Sequence, residues 1–202
     1  MTKSNKLNHI ALIPDGNRRY AKERNFTPKE AYEIGAENVL YITKYLKEAH
    51  QIPMVTVWLL SYENIINRTN DELKIYKELI TKIIDRTKEE GYTTRVIGNE
   101  NAVSSMFGID WYVDYMEQNS VSPYDSVNYL VGYSGSKEFS QRIPDIDLVI
   151  RTGGDKRLSD FAMKQCAHAE IHFEPKHWPG FLLSDLDAHL DEYYDAEKRH
   201  GA

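Results

Sequence analysis

The chain reads as short apolar runs separated by longer amphipathic stretches. The runs His9–Ile13, Met54–Leu60, Thr94–Ile97, Val127–Val131, Ile146–Ile150 and Glu170–Phe173 have strand length and strand composition. Between them lie helical patterns. Thr27, Pro28 and Glu30 make a capping box with proline at the first helical position. They predict a helix from about Pro28 to His50, with Ile34, Ile42, Tyr45 and Ala49 as its buried stripe. Asn70 is expected to cap a helix running to about Glu90, with Leu73, Tyr76, Ile80, Ile83 and Ile84 on one face and Gly91 as its stop. Residues 99–122 are ambiguous apart from a helix over Ile109–Glu117. Further helices are expected from Ser159 to His168 and from Ser184 to about Lys198.

Apolar strands alternating with helices predict an α/β fold: a single domain over residues 1–202 with a mainly parallel central sheet of about five to six strands flanked by helices. Sheets of this kind bind ligands beyond the C-terminal ends of their strands. Asp15, Ser61 and Arg151 each follow a predicted strand, so three polar clusters should converge on one rim.

Composition narrows the partner. The 202 residues carry a net charge of −6, which argues against nucleic acid as a partner. The arginines concentrate in two glycine-containing clusters, a pattern suited to a small anion. The one cysteine, Cys166, excludes an internal disulfide and fits a reducing, cytoplasmic setting; it reads as a buried structural thiol in the helix predicted from Ser159. No apolar run approaches the length of a membrane span, and Met1–Lys6 lacks a signal-peptide core. At most, peripheral membrane contact is expected.

The clusters carry the chemistry. In Asp15-Gly16-Asn17-Arg18-Arg19, Gly16 permits close backbone approach and the arginines offer forked donors to phosphate. Asp15 would repel that phosphate unless a cation such as Mg²⁺ lay between them. The bland alternative is an Asp-Gly turn with solvated arginines. In Arg151-Thr152-Gly153-Gly154-Asp155-Lys156-Arg157-Leu158-Ser159, the side chains of Arg151, Arg157 and Ser159 could surround a second diphosphate, or form a surface loop with Ser159 as a helix cap. Ser61, Asn64 and Arg68 could orient a proton and bind an anion, or merely cap a loop. His168, His172 and His177 cluster in sequence, but their spacing suggests no particular zinc site.

These segments, in this order, resemble the motifs of the cis-prenyltransferases, the undecaprenyl diphosphate synthase family. His9–Ala21 is similar to the opening motif; Ser61-Tyr62-Glu63-Asn64 with Arg68 and Glu72 to the second; Arg151–Phe161 with Gln165, Ala169-Glu170 and Trp178-Pro179 to the closing motif; and Arg199-His200-Gly201 to a C-terminal Arg-x-Gly. The resemblance implies an enzyme that joins an allylic prenyl diphosphate to isopentenyl diphosphate, releases pyrophosphate and forms a cis double bond. It implies that Gly16, Asn17, Arg18 and Arg19 hold the allylic diphosphate and that Tyr20 and Arg68 also bind substrate. Arg151, Arg157 and Ser159 would hold isopentenyl diphosphate, and Arg199 and Gly201 would reach over a neighbour's site in a dimer. Asp15 and Glu170 would be Mg²⁺ ligands, Glu170 from the partner subunit, and Asp15, Asn64 and Ser61 would be catalytic. The implied assembly is a homodimer, or a heterodimer with a homologue.

The departures from the family pattern are specific. Pro28 and Tyr32 replace an arginine and a histidine, Ile65-Ile66 replace a tryptophan after an extra residue, and Ser134-Gly135-Ser136 stands for Gly-Gly-Arg. Asp160 and Lys164 replace Asn and Trp, and a segment of some thirty residues after Ser136 is missing. The ligand side chains remain while the walls change, which points to a short or atypical product. The competing readings are an accessory subunit of a heteromeric enzyme and a prenyl diphosphate-binding protein without turnover.

Overall fold

The computed structural model describes residues 6–116, 124–138 and 143–196. Arg199, His200 and Gly201 lie outside them. Six strands, β1 (His9–Ile13), β2 (Met54–Ser61), β3 (Thr94–Ile97), β4 (Val127–Tyr133), β5 (Leu148–Arg151) and β6 (Glu170–Phe173), form one sheet in the order β3-β4-β2-β1-β5-β6. Every pairing is parallel. The helices are α1 (Asn17–Arg24), α2 (Pro28–Glu48), α3 (Tyr62–Asn67), α4 (Asn70–Glu89), α5 (Glu100–Phe107), α6 (Ile109–Met116) and α7 (Leu183–Asp195).

From β1 the chain builds outward on one side through β2, β3 and β4, then returns to place β5 on the other flank of β1. The loops leaving β1 and β5 therefore run in opposite directions. A crevice opens between them, as at any such reversal in an open parallel sheet.

Alternation along the strands assigns the faces. Ile10, Leu12, Val55, Val57, Leu148 and Ile150 share one core with residues of α2, α4, α5, α6 and α7, including Leu46, Ile84, Trp111 and Leu190. Ala11, Ile13, Leu130 and Val149 face a second core closed by Ile143, Ile146, Phe161, Ala162 and Cys166.

That second cover departs from the sequence expectation. Residues 159–168 are turns rather than a helix. Ser159, Asp160 and Ala162 have φ of 52°, 68° and 34°, outside the right-handed helical region. Cys166 is buried there without a helix around it, and burial pushes its thiol up to about 12. The sheet's strand spans agree with the pattern to within about two residues.

Two further differences have clear causes. On α2, Ile34 and Ala49 are exposed, while Ala31, Tyr32, Gly35, Ala36, Val39, Leu40, Ile42, Thr43 and Leu46 are buried. Small residues lie under the sheet, so the buried stripe includes positions that carry little hydrophobic weight. On α4 the N-cap is Thr69, not Asn70. Its hydroxyl accepts from Glu72 N–H at 3.3 Å, and the Glu72 carboxylate accepts from Thr69 N–H at 3.3 Å. This reciprocal bonding satisfies two otherwise unpaired donors. Gly91 follows with φ 85° and ends the helix in the left-handed conformation. Chemical denaturation provides a direct check: Thr69→Ala should cost about 1 kcal/mol, and Asn70→Ala, inside the first turn, no more than ~0.5 kcal/mol. Equal losses would contradict the assigned cap.

Candidate functional site

The β1–β5 crevice deepens into a cavity of about 720 Å³. Backbone geometry sets its floor. Thr152, fully buried just past β5, accepts from Asp15 N–H at 3.0 Å through its hydroxyl and donates that hydroxyl to Asp15 O at 2.9 Å. Trp178 N–H donates to Asp15 O at 2.9 Å, and its buried indole donates to Gly35 O at 2.8 Å. The Asp15 turn is thus tied to β5 on one side and to α2 on the other. Gly16 has φ 95°, and a Cβ there would lie 2.4 Å from His177 Nδ1; both facts require glycine.

Arg151 organises the polar mouth. Its side chain is 5% exposed. It donates to Asp15 Oδ2 at 2.8 Å, to Ser159 Oγ at 2.9 Å and to the Arg157 carbonyl. Arg19 Nη2 stands 3.3 Å from both Asp15 Oδ1 and Asp155 Oδ2. Arg157 reaches Asp155 at 3.1 Å. Six cationic side chains (Arg18, Arg19, Lys22, Arg68, Arg151, Arg157) face four carboxylates (Asp15, Glu63, Asp155, Asp160) around the cavity. The lining is cationic although the whole chain is acidic. Arg68 Nε and Arg151 Nε are buried and make no hydrogen bond within the described structure. Donors exceed acceptors here, as an anion site requires.

The expected residues divide into groups. Asp15, Gly16, Asn17, Arg18, Arg19, Ser61, Asn64, Arg68, Arg151, Arg157 and Ser159 all line the cavity. Ser61 caps α3, its hydroxyl accepting from Asn64 N–H at 3.0 Å. Tyr20 does not line it: its ring packs toward Phe26 and Gly180, with the Arg24 guanidinium 5.5 Å from its centroid. The helical turn that presents Arg19 inward carries Tyr20 away.

Glu170 is also outside the lining. It opens β6 opposite Leu148, three residues before Arg151 in register, and bonds His172. It therefore does not join Asp15 within one protomer.

Asp155, Thr152, Trp178 and Asp160 belong to the site without having been given a role in it from the sequence. Asp155 sits among Arg19, Arg151 and Arg157, and a carboxylate in a glycine-arginine loop is the signal that could have found it. Asp160 accepts from Ser134 Oγ at 2.5 Å, Ser136 N at 2.8 Å and Ser136 Oγ at 3.0 Å.

Below the mouth the cavity becomes apolar between α2 and α4, where Ala36, Val39, Leu79, Ile80 and Ile83 line it. Arg68 marks the boundary. It donates to Tyr32 OH and Glu72, each at 2.9 Å, and lies 5.0 Å from the Tyr76 ring centroid. Burial pushes the Tyr76 hydroxyl far up, so it stays neutral. A charged mouth leading to an apolar sleeve fits an amphiphile with an anionic head and a hydrocarbon tail.

Burial pushes the Asp15 carboxyl up, but the Arg151 hydrogen bond, the Gly16 N–H and the charges of Arg151 and Arg19 outweigh it and hold the group below its ordinary value. A carboxyl depressed on folding stabilises fully above its unfolded value of about 3.9 and loses that contribution as pH falls through the lower folded value. Urea unfolding of wild type and Asp15→Asn should therefore show a stability difference that changes in this acid range, wild type losing ground as pH falls. A difference constant from neutrality down through that range would contradict the depressed carboxyl.

Comparison with known proteins agrees with this geometry. The family model described as putative undecaprenyl diphosphate synthase matches residues 13–142 and 136–201. A Pyrobaculum aerophilum protein named tritrans,polycis-undecaprenyl-diphosphate synthase (geranylgeranyl-diphosphate specific) is 31% identical, covering 96% of this chain and 95% of its own. The short-chain Z-isoprenyl diphosphate synthase of Mycobacterium leprae is 29% identical over 96% and 87% of the two chains. The crystal structure of lavandulyl diphosphate synthase from Lavandula x intermedia, in complex with dimethylallyl diphosphate, shares the fold with a TM-score of 0.77 over 98% and 99% of the chains, at 24% identity. With the family model spanning nearly the whole chain and these relatives matching it end to end, the chain belongs to the undecaprenyl diphosphate synthase family of isoprenyl transferases.

Proposed function

We propose that this isoprenyl transferase couples an allylic prenyl diphosphate to isopentenyl diphosphate in the β1–β5 cavity and releases a short cis-prenyl diphosphate. The observation that carries the reading is the placement of Asp15 and Arg151 2.8 Å apart at the head of one cavity whose depth is apolar.

The allylic diphosphate is assigned to the start of α1. No side chain caps that helix, so its first N–H groups and dipole favour an anion, joined by Asn17, Arg18 and Arg19. Its tail enters the sleeve between α2 and α4. Isopentenyl diphosphate is assigned to Arg151, Arg157 and Ser159. Holding both substrates side by side converts an encounter in solution into a positioned reaction. The allylic C–O bond breaks, a C–C bond forms to the terminal alkene carbon of isopentenyl diphosphate, and a proton leaves the methylene on the other side of the methyl-bearing carbon, so that the double bond moves between those two carbons. Arg19 and Arg68 stabilise charge on the departing pyrophosphate. Ser61 and Asn64, linked by their hydrogen bond at the rim, orient the diphosphate oxygens toward the proton that is lost.

The donor set fits Mg²⁺. Asp15 offers a carboxylate at the mouth, with Asp155 held by the same Arg19 nitrogen, and the substrate's diphosphate supplies further hard oxygens. When bound, the ion neutralises charge developing on the leaving group. Glu170 can contribute as a ligand only from a partner subunit, and Arg199 and Gly201 are assigned to substrate binding in that neighbour's site. A homodimer is therefore part of this reading, as is a cytoplasmic location. No helix of the described residues is long and apolar enough to cross a membrane.

The short product follows from the cavity's size, within the range that holds a drug-sized ligand. The names of the Mycobacterium leprae and Lavandula relatives support it. Purified protein incubated with Mg²⁺, labelled isopentenyl diphosphate and C5, C10 or C15 primers should release pyrophosphate and give short products by chromatography. A ladder reaching C50 would reject the short-product assignment. Asp15→Ala and Arg151→Ala should each lower kcat by about 10²-fold or more. Turnover that appears only after a homologous chain is added would transfer catalysis to that partner.

A further inference from the structure

Away from the cavity, β6 and α7 bring two imidazoles together. His172 Nδ1 lies 3.2 Å from His189 Nδ1. The other nitrogen of each ring is already engaged: His172 Nε2 is 2.8 Å from Glu170 Oε1, and His189 Nε2 is 3.2 Å from Glu174 Oε2. An ionised carboxylate only accepts hydrogen bonds, so each Nε2 carries the hydrogen. With each Nε2 turned to a carboxylate, the two Nδ1 atoms face each other and are the positions left open to a shared ion. Glu192, three residues after His189 on the same face of α7, places Oε2 3.9 Å from His172 Nδ1. One ligand atom from each of His172, His189 and Glu192 falls within 4.8 Å of the others.

We propose that His172, His189 and Glu192 form a site for a divalent transition-metal ion of the zinc type, separate from the diphosphate cavity. Tetrahedral zinc with Zn–N bonds of about 2.0–2.1 Å sets two ligating nitrogens roughly 3.3 Å apart, close to the spacing found. Two imidazoles with one carboxylate suit zinc, whereas magnesium prefers oxygen throughout. Glu170 and Glu174 act behind the ligands, fixing each ring's tautomer and raising its basicity. The two histidine side chains are 6% and 13% exposed, while Glu192 is 69% exposed. The ion therefore enters from solvent past Glu192, and water completes the coordination. Its structural effect is to fasten α7 to β6, the short edge strand beside β5. None of these three side chains lines the cavity of its own protomer; the link to prenyl transfer runs only through Glu170, behind His172.

The test uses full-length protein without a histidine tag, stripped with chelator and titrated with Zn²⁺, and separately with Co²⁺, in excess Mg²⁺. One equivalent of Zn²⁺ should bind, raise the thermal midpoint and be mirrored by a tetrahedral Co²⁺ absorption spectrum. His189→Gln should abolish uptake. Glu192→Gln, a change at an exposed position that the fold tolerates, should weaken it at least tenfold. Asp15→Asn should bind Zn²⁺ like wild type. Absence of binding by wild type would overturn the proposal. Unchanged affinity in Glu192→Gln overturns the ligand set, and loss in Asp15→Asn would move the ion to the cavity. The readout is metal binding, so failure of the prenyl-transfer reading leaves this outcome separate.

Discussion

A buried guanidinium at the end of β5 is the constraint on which the site depends. Arg151 is nearly inaccessible, so its charge must be matched locally; an unpaired ion there would be strongly destabilising. The match comes from Asp15 across the sheet's reversal point and from Ser159 and the Arg157 carbonyl along its own loop. One side chain therefore fixes the separation of the two turns to which the proposed function assigns the diphosphates. Thr152 repeats the connection through the backbone, and Trp178 extends it to α2. The pairing that allows Arg151 to be buried also sets the geometry that the proposed function needs to seat two anions side by side.

The departures from the family pattern are not scattered. Ser134 and Ser136, which replace a glycine and an arginine, bond to Asp160, which replaces an asparagine. Tyr32, in place of a histidine, accepts from Arg68 and packs its ring 4.9 Å from that of Tyr76. Ile65 approaches Gly132, where a Cβ would come within 2.7 Å of Ile65 Cδ1. Each of these changes is answered by a neighbour, whereas Pro28, Ile66 and Lys164 are exposed. The altered walls form a consistent set, and the ligand-facing side chains of the mouth are left as the motifs have them.

Most of the architecture was legible because its signals are local. Thr27, Pro28 and Glu30 announce α2 within four residues, and the apolar runs of β1, β2 and β4 need no partner to be read. The six-stranded parallel sheet follows from their alternation with helices. The polar mouth was legible for the same reason: its residues follow strand ends. What escaped the sequence depends on distant contacts. Residues 159–168 have helix-compatible composition, but hydrogen bonds from Ser134, Ser136 and Arg151 hold Ser159 and Asp160 in a turn. The stripe on α2 was misjudged at Ile34 because Gly35 and Ala36, small enough to approach Trp178 and the core, occupy the inner face. Tyr20 was carried by motif similarity, which does not convey side-chain direction. His172 and His189 are seventeen residues apart on different elements, beyond any sequence spacing rule.

The left-handed residues after Arg157 leave that wall under tension. Ser159, Asp160 and Ala162 adopt backbone angles that L-residues resist by roughly 1 kcal/mol or more each, and none of them is glycine. The segment is held uphill of the helix its own composition favours, and the restraint comes from Arg151 and the two serines after β4. Evolution could easily have relaxed it with glycine, at the expense of a floppy phosphate wall. Keeping side chains there makes the shape of that loop dependent on the arginine clasp.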